Sequence, residues 1–365
     1  MDQNTQFPMI QTGGTPREIG FQHGSQARRQ IAVSIENYRQ MFFDYSGISW
    51  ESAKQYAHTF IPAIENYDPD IMEEIRGIAE GSGFELDEIL ALNVRSEIVL
   101  QGSQVNARLD GGCTSCAFMP SRTATQETWL AQNWDWKLAE KDGCILLKIA
   151  QADKPDILMV TEAGIVGKIG FNSAGVGVAL NALASDKTCS GQTVPLHIAL
   201  RGVLNSRTLS DAIQAAGRIP LACCANYMMA SASGQAVTVE IGAGDIDVIY
   251  PENGWVAHTN HFYGPRTVGI RDTGRITLPD TYLRLGRMRD MLREMDGRRI
   301  TLKDIQGMLC DHTGYPDSIC RHEDPLEEPG KRLGTVFSII MNLDRGEMLF
   351  APGAPCSHAY RLFRI

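Results

Sequence analysis

The chain has 365 residues, of which 43% are hydrophobic and 21% are charged, and its formal net charge at pH 7 is −9. These proportions are typical of a globular protein, and the sequence has no run of 18 or more apolar residues of the kind that crosses a membrane. An acidic balance also argues against nucleic acid, because phosphate binding requires concentrated Lys and Arg. We therefore expect neither a membrane nor a nucleic-acid partner.

The cysteine pattern and the two ends of the sequence bear on the cellular compartment. Nine cysteines at irregular spacing indicate reduced thiols rather than a disulfide framework. The first residues, Met1 to Thr5, have neither a basic nor an apolar leader segment, and Phe363-Arg364-Ile365 is not a Ser-Lys-Leu-type peroxisomal signal. A cytoplasmic location is expected.

The first third of the chain is predicted to be helical after a short extended entry. Its helices are marked by Pro or capping residues at their starts and by Gly at their ends. The start signals are Gly13-Gly14-Thr15-Pro16, Asp68-Pro69-Asp70 and Leu86-Asp87-Glu88, and the stop signals are Gly81, Gly83 and Gly102. Residues 103–112 are polar and end in Gly, which predicts an exposed loop.

Short β-like runs dominate from Cys113 onward, separated by Gly, Asn, Asp and Pro. The predicted strands are 113–119, 128–133, 145–150, 157–161, 165–171, 176–180, 226–230, 236–241, 246–249, 255–258, 336–341, 348–350 and 360–363. Helices are predicted at 195–205, 208–216, 282–295 and 301–310. Runs of helices and strands with hairpin-length gaps predict an α+β fold with layers around antiparallel sheets, not a doubly wound parallel sheet.

The junction Gly112-Cys113-Thr114 lies where helices give way to strands. A thiol that follows Gly can attack the preceding carbonyl, and hydrolysis of the resulting thioester would leave Cys113 with a free α-amine. That amine, with an ordinary pKa of about 7.7–8.0, can take the proton of its own thiol. Two other interpretations stay open at this point. Cys113 can be a buried core residue, and Cys113-Thr114-Ser115-Cys116 has a Cys-x-x-Cys spacing, although no second such pair supports zinc or dithiol chemistry.

A series of motifs in one order along the chain is similar to the acyl-coenzyme A:isopenicillin N (6-aminopenicillanic acid) acyltransferase-like family of N-terminal-nucleophile (Ntn) hydrolases. The motifs are Gly13-Gly14-Thr15-Pro16-Arg17-Glu18-Ile19-Gly20, Glu74-Ile75-Arg76-Gly77-Ile78-Ala79, Leu92-Asn93-Val94-Arg95-Ser96-Glu97, Asp110 to Ser115, Gln132-Asn133-Trp134-Asp135, Thr161 to Lys168, Gly170 to Val176, His258-Thr259-Asn260-His261, Tyr315 to Arg321 and the segment around Arg332. The resemblance covers nearly the whole chain.

This resemblance implies a four-layer αββα sandwich with two stacked antiparallel sheets, made as a precursor. Cleavage between Gly112 and Cys113 would give a small, mainly helical subunit, 1–112, and a large subunit, 113–365. The two would stay together as a heterodimer forming one catalytic domain. Cys113 lies at the position of the family nucleophile.

Four further residues take roles from the resemblance. Asp135 matches the aspartate that holds or orients the new α-ammonium, and Asn260 matches the asparagine whose amide lies in the oxyanion hole. Arg332 matches an arginine that can pair with a substrate carboxylate. Asn181, by looser similarity to bile-salt hydrolases, lines the oxyanion side.

No metal site is predicted, because His258 and His261 flank Asn260 without an evident third ligand. Two positions depart from the penicillin-forming pattern: Lys331 precedes the late arginine where that pattern has Ser, and Gly242 also replaces Ser. Both differences put a β-lactam substrate in doubt.

The resulting hypothesis is an acyltransferase that works through an acyl-Cys113 thioester. It would use a small-molecule acyl donor, either an amide or acyl-coenzyme A as a co-substrate, and a small amine acceptor, with no further cofactor. One alternative is an amidohydrolase that cleaves a small N-acyl amide without coenzyme A. Another is a non-catalytic relative that retains the fold.

Overall fold

The computed structural model describes residues 7–102, 112–186, 192–242, 244–265 and 270–365. The helices in these ranges are α1 Pro16–Gln26, α2 Arg28–Ser46, α3 Trp50–His58, α4 Ile61–Tyr67, α5 Pro69–Ser82, α6 Leu86–Asn93, α7 Arg95–Gly102, α8 Leu196–Leu204, α9 Leu209–Gly217, α10 Gly274–Thr277, α11 Asp280–Glu294 and α12 Leu302–Leu309. The strands are β1 Met9–Gly14, β2 Thr114–Phe118, β3 Trp129–Lys137, β4 Cys144–Gln151, β5 Ile157–Glu162, β6 Ile169–Asn172, β7 Val176–Ala182, β8 Ala225–Ser231, β9 Gln235–Gly242, β10 Asp245–Ile249, β11 Trp255–His258, β12 Leu333–Asn342, β13 Glu347–Ala351 and β14 Arg361–Arg364.

The described strands form two sheets. One has the order β1-β4-β5-β6-β7-β8-β9-β10, and the other has the order β11-β2-β3-β12-β13-β14. Neighbouring strands are antiparallel, as predicted, except that β1 runs parallel to β4, with Met9 opposite Leu146. This parallel pair was not predicted, because the N-terminal segment showed only the features of an extended entry to the first helix.

The two sheets pack face to face between two layers of helices. Strands β2 and β3 contact β7 and β8, while α2 and α8 cover the outer face of the larger sheet and α11 and α12 cover that of the smaller one. Every residue of β2 and β3 is buried, as expected for strands that are covered on both faces. The predicted four-layer αββα architecture is confirmed.

Side-chain alternation in β3 divides the core in two. Leu130, Trp134 and Trp136 pack into the main cluster between the sheets, whereas Trp129 and Ala131 pack against α11 and α12 in a second cluster. Because successive residues of a strand point to opposite faces, Asp135 points to the same side as Trp129 and Ala131. The catalytic aspartate that the resemblance suggested therefore faces the α11 and α12 layer.

The predicted signals at the ends of α5 agree with the structure except for Gly81, which lies inside this helix. Asp68 caps α5 by accepting a hydrogen bond from the Asp70 amide at 3.1 Å, Pro69 is its first residue, and Gly83 ends it in the left-handed conformation with a φ of 73°. Residues 103–111 of the predicted exposed loop lie outside the described residues. Its last residue, Gly112, is buried, so the prediction was wrong there. No helix in the described part of the chain is long and apolar enough to cross a membrane.

Helices α1 and α5 approach each other through glycines. A Cβ at each of these positions would overlap a backbone carbonyl oxygen of the facing helix, at 2.0 Å for Gly20, 2.3 Å for Gly24, 2.3 Å for Gly77 and 2.1 Å for Gly81. Backbone atoms cannot move aside as the end of a flexible side chain can. This helix pair therefore depends on having no side chains at the crossing.

Replacement of Gly77 by Ala should lower the free energy of unfolding by about 1–3 kcal/mol, the usual cost of overpacking. The new methyl group would lie 2.3 Å from the Arg17 carbonyl oxygen. Urea denaturation measures the change. Gly307 in α12 is the matched control because a Cβ there meets nothing within 4 Å, so Gly307→Ala should stabilise by about 0.5–1 kcal/mol. Equal effects of the two substitutions would contradict the packing argument.

Candidate active site

Cys113 is buried immediately before β2, and both of its backbone polar groups are held by side chains. Its amide donates to Asn260 Oδ1 at 2.8 Å. Its carbonyl accepts from Arg284 Nη1 at 2.8 Å and from Asn181 Nδ2 at 3.2 Å. The three partners come from α11, β7 and the segment after β11. Both sheets and one outer helix therefore fix the position of this residue.

Gly112 lies against two guanidinium groups. A Cβ at this position would be 2.7 Å from Arg321 Nη2 and 3.0 Å from Arg284 Nη2. Both arginines are almost completely buried. The missing side chain is thus what allows two positive charges to lie beside the peptide bond between Gly112 and Cys113.

Asp280, the first residue of α11, links the two arginines. Its Oδ2 accepts from Arg284 Nε at 2.8 Å, one helical turn away, and also from Arg321. Arg321 forms a further ion pair with Asp317. Buried guanidinium groups require such partners, because an unpaired charge in the protein interior is very costly.

Asp135 provides a third carboxylate. A β-bulge at Val336 in β12 places Thr335 opposite Asp135, and the Thr335 hydroxyl donates to Asp135 Oδ1 at 2.7 Å. Oδ2 lies 3.6 Å from Arg321 Nε and has no hydrogen-bond partner among the described residues. Burial raises the pKa of Asp135 to about 7, and the nearby Arg321 and Arg284 charges only partly oppose this rise.

The Cys113 thiol is protonated at neutral pH in the intact chain. Burial raises its pKa to about 12, and the negative charge of Asp135 acts in the same direction. Its Sγ lies 4.0 Å from the backbone carbonyl oxygen of Asp135. Since only a thiolate is a good nucleophile, this thiol needs a group that takes its proton.

Asn260 and Asn181 both contact Cys113, but through different atoms. Asn260 uses its carbonyl oxygen, which also accepts from Arg284 Nη2 at 3.1 Å, while its Nδ2 donates to Ala182 O at 3.0 Å. Asn181 uses its Nδ2, and its Oδ1 accepts from Ser115 at 2.6 Å. In the intact chain, therefore, the side-chain N–H group that donates to the Cys113 carbonyl comes from Asn181 and not from Asn260.

Arg332 does not join this group. Its guanidinium binds Glu323 at 3.1 Å and the carbonyl oxygens of Glu327 and Pro325, all in the loop before β12. It is not among the arginines that contact Gly112, Cys113 or Asp135 in the described ranges. Arg284 and Arg321 occupy that position.

The histidines and cysteines whose spacing suggested metal ligands have separate partners in the structure. His258 Nε2 lies 3.0 Å from Glu240, and His261 Nδ1 lies 2.9 Å from the Thr281 hydroxyl. Cys113 packs in the main core cluster and Cys116 in the second, on opposite faces of the sheet. An odd separation in a strand always has this result, so the two thiols do not share a site.

Sequence reasoning missed Arg284, Arg321 and Thr335 as parts of the site. Arg321 ended one of the quoted motifs without receiving a role, and Arg284 lay within a predicted helix. The available signal for Arg284 was its spacing from Asp280, which predicts an ion pair within one turn. That spacing gives no indication of burial.

Arg321→Met should destabilise the protein in a pH-dependent way. The folded-state pKa of Asp135, about 7, lies above its ordinary value of 3.8, so this carboxyl favours folding at low pH and the benefit is lost as the pH rises through 7. Without Arg321 the buried carboxylate loses a compensating charge. We expect a loss of about 3–5 kcal/mol at pH 8 and a smaller loss at pH 5.

Chemical denaturation at both pH values measures this difference. The double variant Arg321→Met/Asp135→Asn is the control and should lose the same free energy at pH 5 and pH 8. An equal loss in the single variant at both values would show that Asp135 is not the group that depends on Arg321.

Comparisons of the sequence with known proteins identify the same family that the motifs resemble. The sequence profile of the acyl-coenzyme A:6-aminopenicillanic acid acyl-transferase family matches residues 122–350. The 40 kDa form of acyl-coenzyme A:6-aminopenicillanic-acid-acyltransferase from Emericella nidulans is 33% identical over 333 residues, which cover 90% of this chain and 88% of that protein.

Two solved structures are among those that superpose on the chain. A variant of conjugated bile acid hydrolase from Clostridium perfringens is 14% identical, with a TM-score of 0.46, and covers 69% of this chain and 97% of its own. The N-acylethanolamine-hydrolyzing acid amidase ortholog of Caenorhabditis elegans is 17% identical, with a TM-score of 0.45, and covers 64% of this chain and 93% of its own. By its sequence, this chain belongs to the acyl-coenzyme A:6-aminopenicillanic acid acyltransferase family.

Proposed function

We propose that this protein is an acyltransferase that activates itself by cleaving the bond between Gly112 and Cys113. The observation that carries the proposal is the set of contacts around Gly112 and Cys113, on both sides of the bond between them. Arg284 and Asn181 hold the Cys113 carbonyl, Asn260 holds its amide, and two guanidinium groups lie against Gly112. A core cysteine does not require such a polar environment, whereas a reacting peptide does.

The cleavage proceeds in two steps, formation of a thioester and its hydrolysis. Cys113 Sγ attacks the Gly112 carbonyl carbon while its proton passes to a base, and the C–N bond then breaks as the Cys113 nitrogen takes up a proton. Water next attacks the thioester, which releases the Gly112 carboxylate and the free thiol. The guanidinium groups beside Gly112 supply positive charge where the tetrahedral oxyanion forms.

Asp135 is our candidate for the base in the intact chain. Its carboxyl faces the α11 and α12 layer whereas the thiol faces the main core cluster, so the proton would pass between them through a water molecule at the end of β2 beside Gly112. With a pKa of about 7, it is partly ionised at neutral pH and can accept a proton there. After cleavage, the Cys113 α-amine becomes the base for its own thiol. Asp135 Oδ2, which has no hydrogen-bond donor in the described part of the intact chain, is then available to the new ammonium.

Acyl transfer uses the same thiol. Cys113 attacks a thioester or an amide, the acyl group stays on Sγ, and the leaving thiol or amine takes up a proton. A small amine then attacks the acyl-enzyme and regenerates the thiol. If water takes the place of the amine, the result is hydrolysis. The same site would then act as an amidohydrolase, with water as the acyl acceptor. Arg332 can bind an acceptor carboxylate if that carboxylate replaces Glu323.

Cys113→Ala should abolish cleavage. Mass spectrometry of the purified wild type is expected to show two chains divided between Gly112 and Cys113, whereas the variant should remain one chain of 40.2 kDa. Cys116→Ala removes a buried thiol from the other face of the same strand and should still be cleaved. A wild-type protein that stays intact, or a Cys113→Ala protein that is cleaved, would disprove self-processing.

The rate of self-cleavage should rise with pH and level off above about pH 7, because the charged form of Asp135 is the one that accepts the proton. Refolding from denaturant at several pH values, sampled over time by mass spectrometry, gives this profile. Asp135→Asn should lower the plateau by about 10²–10⁴-fold. It should also remove the inflection near pH 7, and an inflection that persists in this variant would assign it to another group.

Turnover distinguishes the transferase from the hydrolase. Cleaved wild type with acyl-coenzyme A and a small amine should form the amide faster than free acid. Cys113→Ala should form neither product, at least ~10³-fold below wild type. Faster release of acid, or turnover of an N-acyl amide but not of acyl-coenzyme A, would favour the amidohydrolase.

A further inference from the structure

Four metal-binding side chains meet on the α12 side of the smaller sheet. His312 follows α12, Cys320 and His322 lie in the segment before β12, and Cys356 lies in the turn between β13 and β14. One ligand atom from each residue lies within 4.8 Å of all the others. None of them belongs to the site around Cys113.

His322 Nε2 is at the centre of the cluster, and hydrogen bonding alone does not explain its surroundings. It lies 3.1 Å from His312 Nε2, 3.6 Å from Cys320 Sγ and 3.4 Å from Cys356 Sγ. An imidazole nitrogen has either one N–H or one lone pair, so it can form one good hydrogen bond. This nitrogen therefore cannot hydrogen-bond all three neighbours at once, and the Cys320 thiol also has Cys356 as a partner.

The spacing fits four ligands around one ion. Bond lengths of about 2.0–2.1 Å to His and about 2.3 Å to Cys place tetrahedral ligand atoms roughly 3.3 Å apart for two nitrogens and roughly 3.6 Å apart for nitrogen and sulfur. The observed separations of 3.1, 3.6 and 3.4 Å match these values. We propose that His312, Cys320, His322 and Cys356 bind one Zn²⁺ ion.

The donor set points to zinc in a structural role. Two thiolates and two imidazoles are a common zinc ligand set, whereas Mg²⁺ and Ca²⁺ prefer oxygen ligands. Four protein ligands also complete the tetrahedral shell and leave no open position for water or substrate. The ion would therefore stabilise the structure without taking part in the reaction.

The backbone holds three of the ligands close together. The Cys320 amide donates to Asp311 O at 3.0 Å, the His322 amide donates to Pro316 O at 3.0 Å, and the Tyr315 amide donates to His312 O at 3.0 Å. These bonds fold residues 311–322 back on themselves. Cys356 approaches from a separate, exposed turn, so the ion would connect β13 and β14 to this folded segment.

Arg321 gives the cluster its link to the active site. It lies between the ligands Cys320 and His322, and its guanidinium reaches Asp135 and the peptide at Gly112. Fixing both neighbours fixes the backbone from which this side chain extends. On the proposed function, Zn²⁺ binding positions Arg321 for cleavage, although the metal site itself does not depend on that function.

Metal analysis of chelator-free protein, purified without a polyhistidine tag and given one equivalent of Zn²⁺ before gel filtration, tests the proposal. Wild type should retain about one zinc ion per chain, and the exposed-ligand variants Cys356→Ser and His312→Gln should retain at least about tenfold less. Cys310→Ser is the matched control. Its thiol lies near Cys356 but outside the ligand group, so zinc should remain. Co²⁺-loaded wild type should show the visible absorption of tetrahedral thiolate ligation, and Cys356→Ser should lose it.

Three results would overturn the proposal: wild type that binds no zinc, ligand variants that keep it, or a disulfide between Cys320 and Cys356 in peptides mapped without reduction. The Cys113→Ala chain separates this test from the proposed function, because it should bind zinc whether or not the wild type cleaves itself. Zinc in an uncleaved wild type would support the metal site while contradicting the proposed processing.

Discussion

Two buried guanidinium groups beside one glycine set the main constraint on this structure. Arg284 and Arg321 carry positive charge into the protein interior, and that charge must be balanced by carboxylates placed at the same depth. Asp280 binds both arginines, and Asp135 lies beside Arg321. Helix α11, strand β3 and the segment before β12 are held together by this requirement, and the bond that we propose is cleaved lies among their charges. A side chain at Gly112 would separate those charges from the peptide.

The same burial determines how the proposed nucleophile, Cys113, can react. Burial raises the pKa of both Cys113 and Asp135, so the uncharged forms of the thiol and the carboxyl are favoured together. A protonated thiol is a poor nucleophile, so it needs a nearby base that ionises around neutral pH. Asp135 meets this condition in the intact chain, and a new α-amine would meet it after cleavage. Burial therefore lowers the reactivity of the thiol, and the proposed cleavage depends on the base that the fold supplies.

Much of the fold could be predicted from local signals, because caps and strand patterns depend on neighbouring residues. Asp68, Pro69 and Gly83 mark the ends of α5, and the short apolar runs after Cys113 became strands.

The site was only partly predictable. Motifs in register with a family indicated Cys113, Asp135 and Asn260, but the arginines at Gly112 lie far along the chain, in α11 and in the segment before β12. Their burial depends on how these two parts pack, and no local pattern carries that information. The exposed loop predicted for residues 103–112 was wrong at Gly112 for the same reason.

The histidine and cysteine cluster illustrates this limit and adds a physical consequence. In the sequence, metal ligands were considered only at Cys113 and Cys116 and at His258 and His261, because the members of each pair are close in the chain. The residues that converge instead come from two separate segments, 311–322 and the turn after β13, and the order of strands in the sheet brings Cys356 to His322. Arg321 lies outside the strands, and its charge must stay beside Asp135. Its amide donates to the Thr335 hydroxyl, and its carbonyl accepts from the Thr335 amide. A closed four-ligand ion bound to both neighbours of that residue would add to the restraint from Thr335, because metal–ligand bonds limit movement of the backbone. The positions of Arg284 and Arg321 would then have different origins: α11 holds the first, and hydrogen bonds to Thr335 together with the metal hold the second.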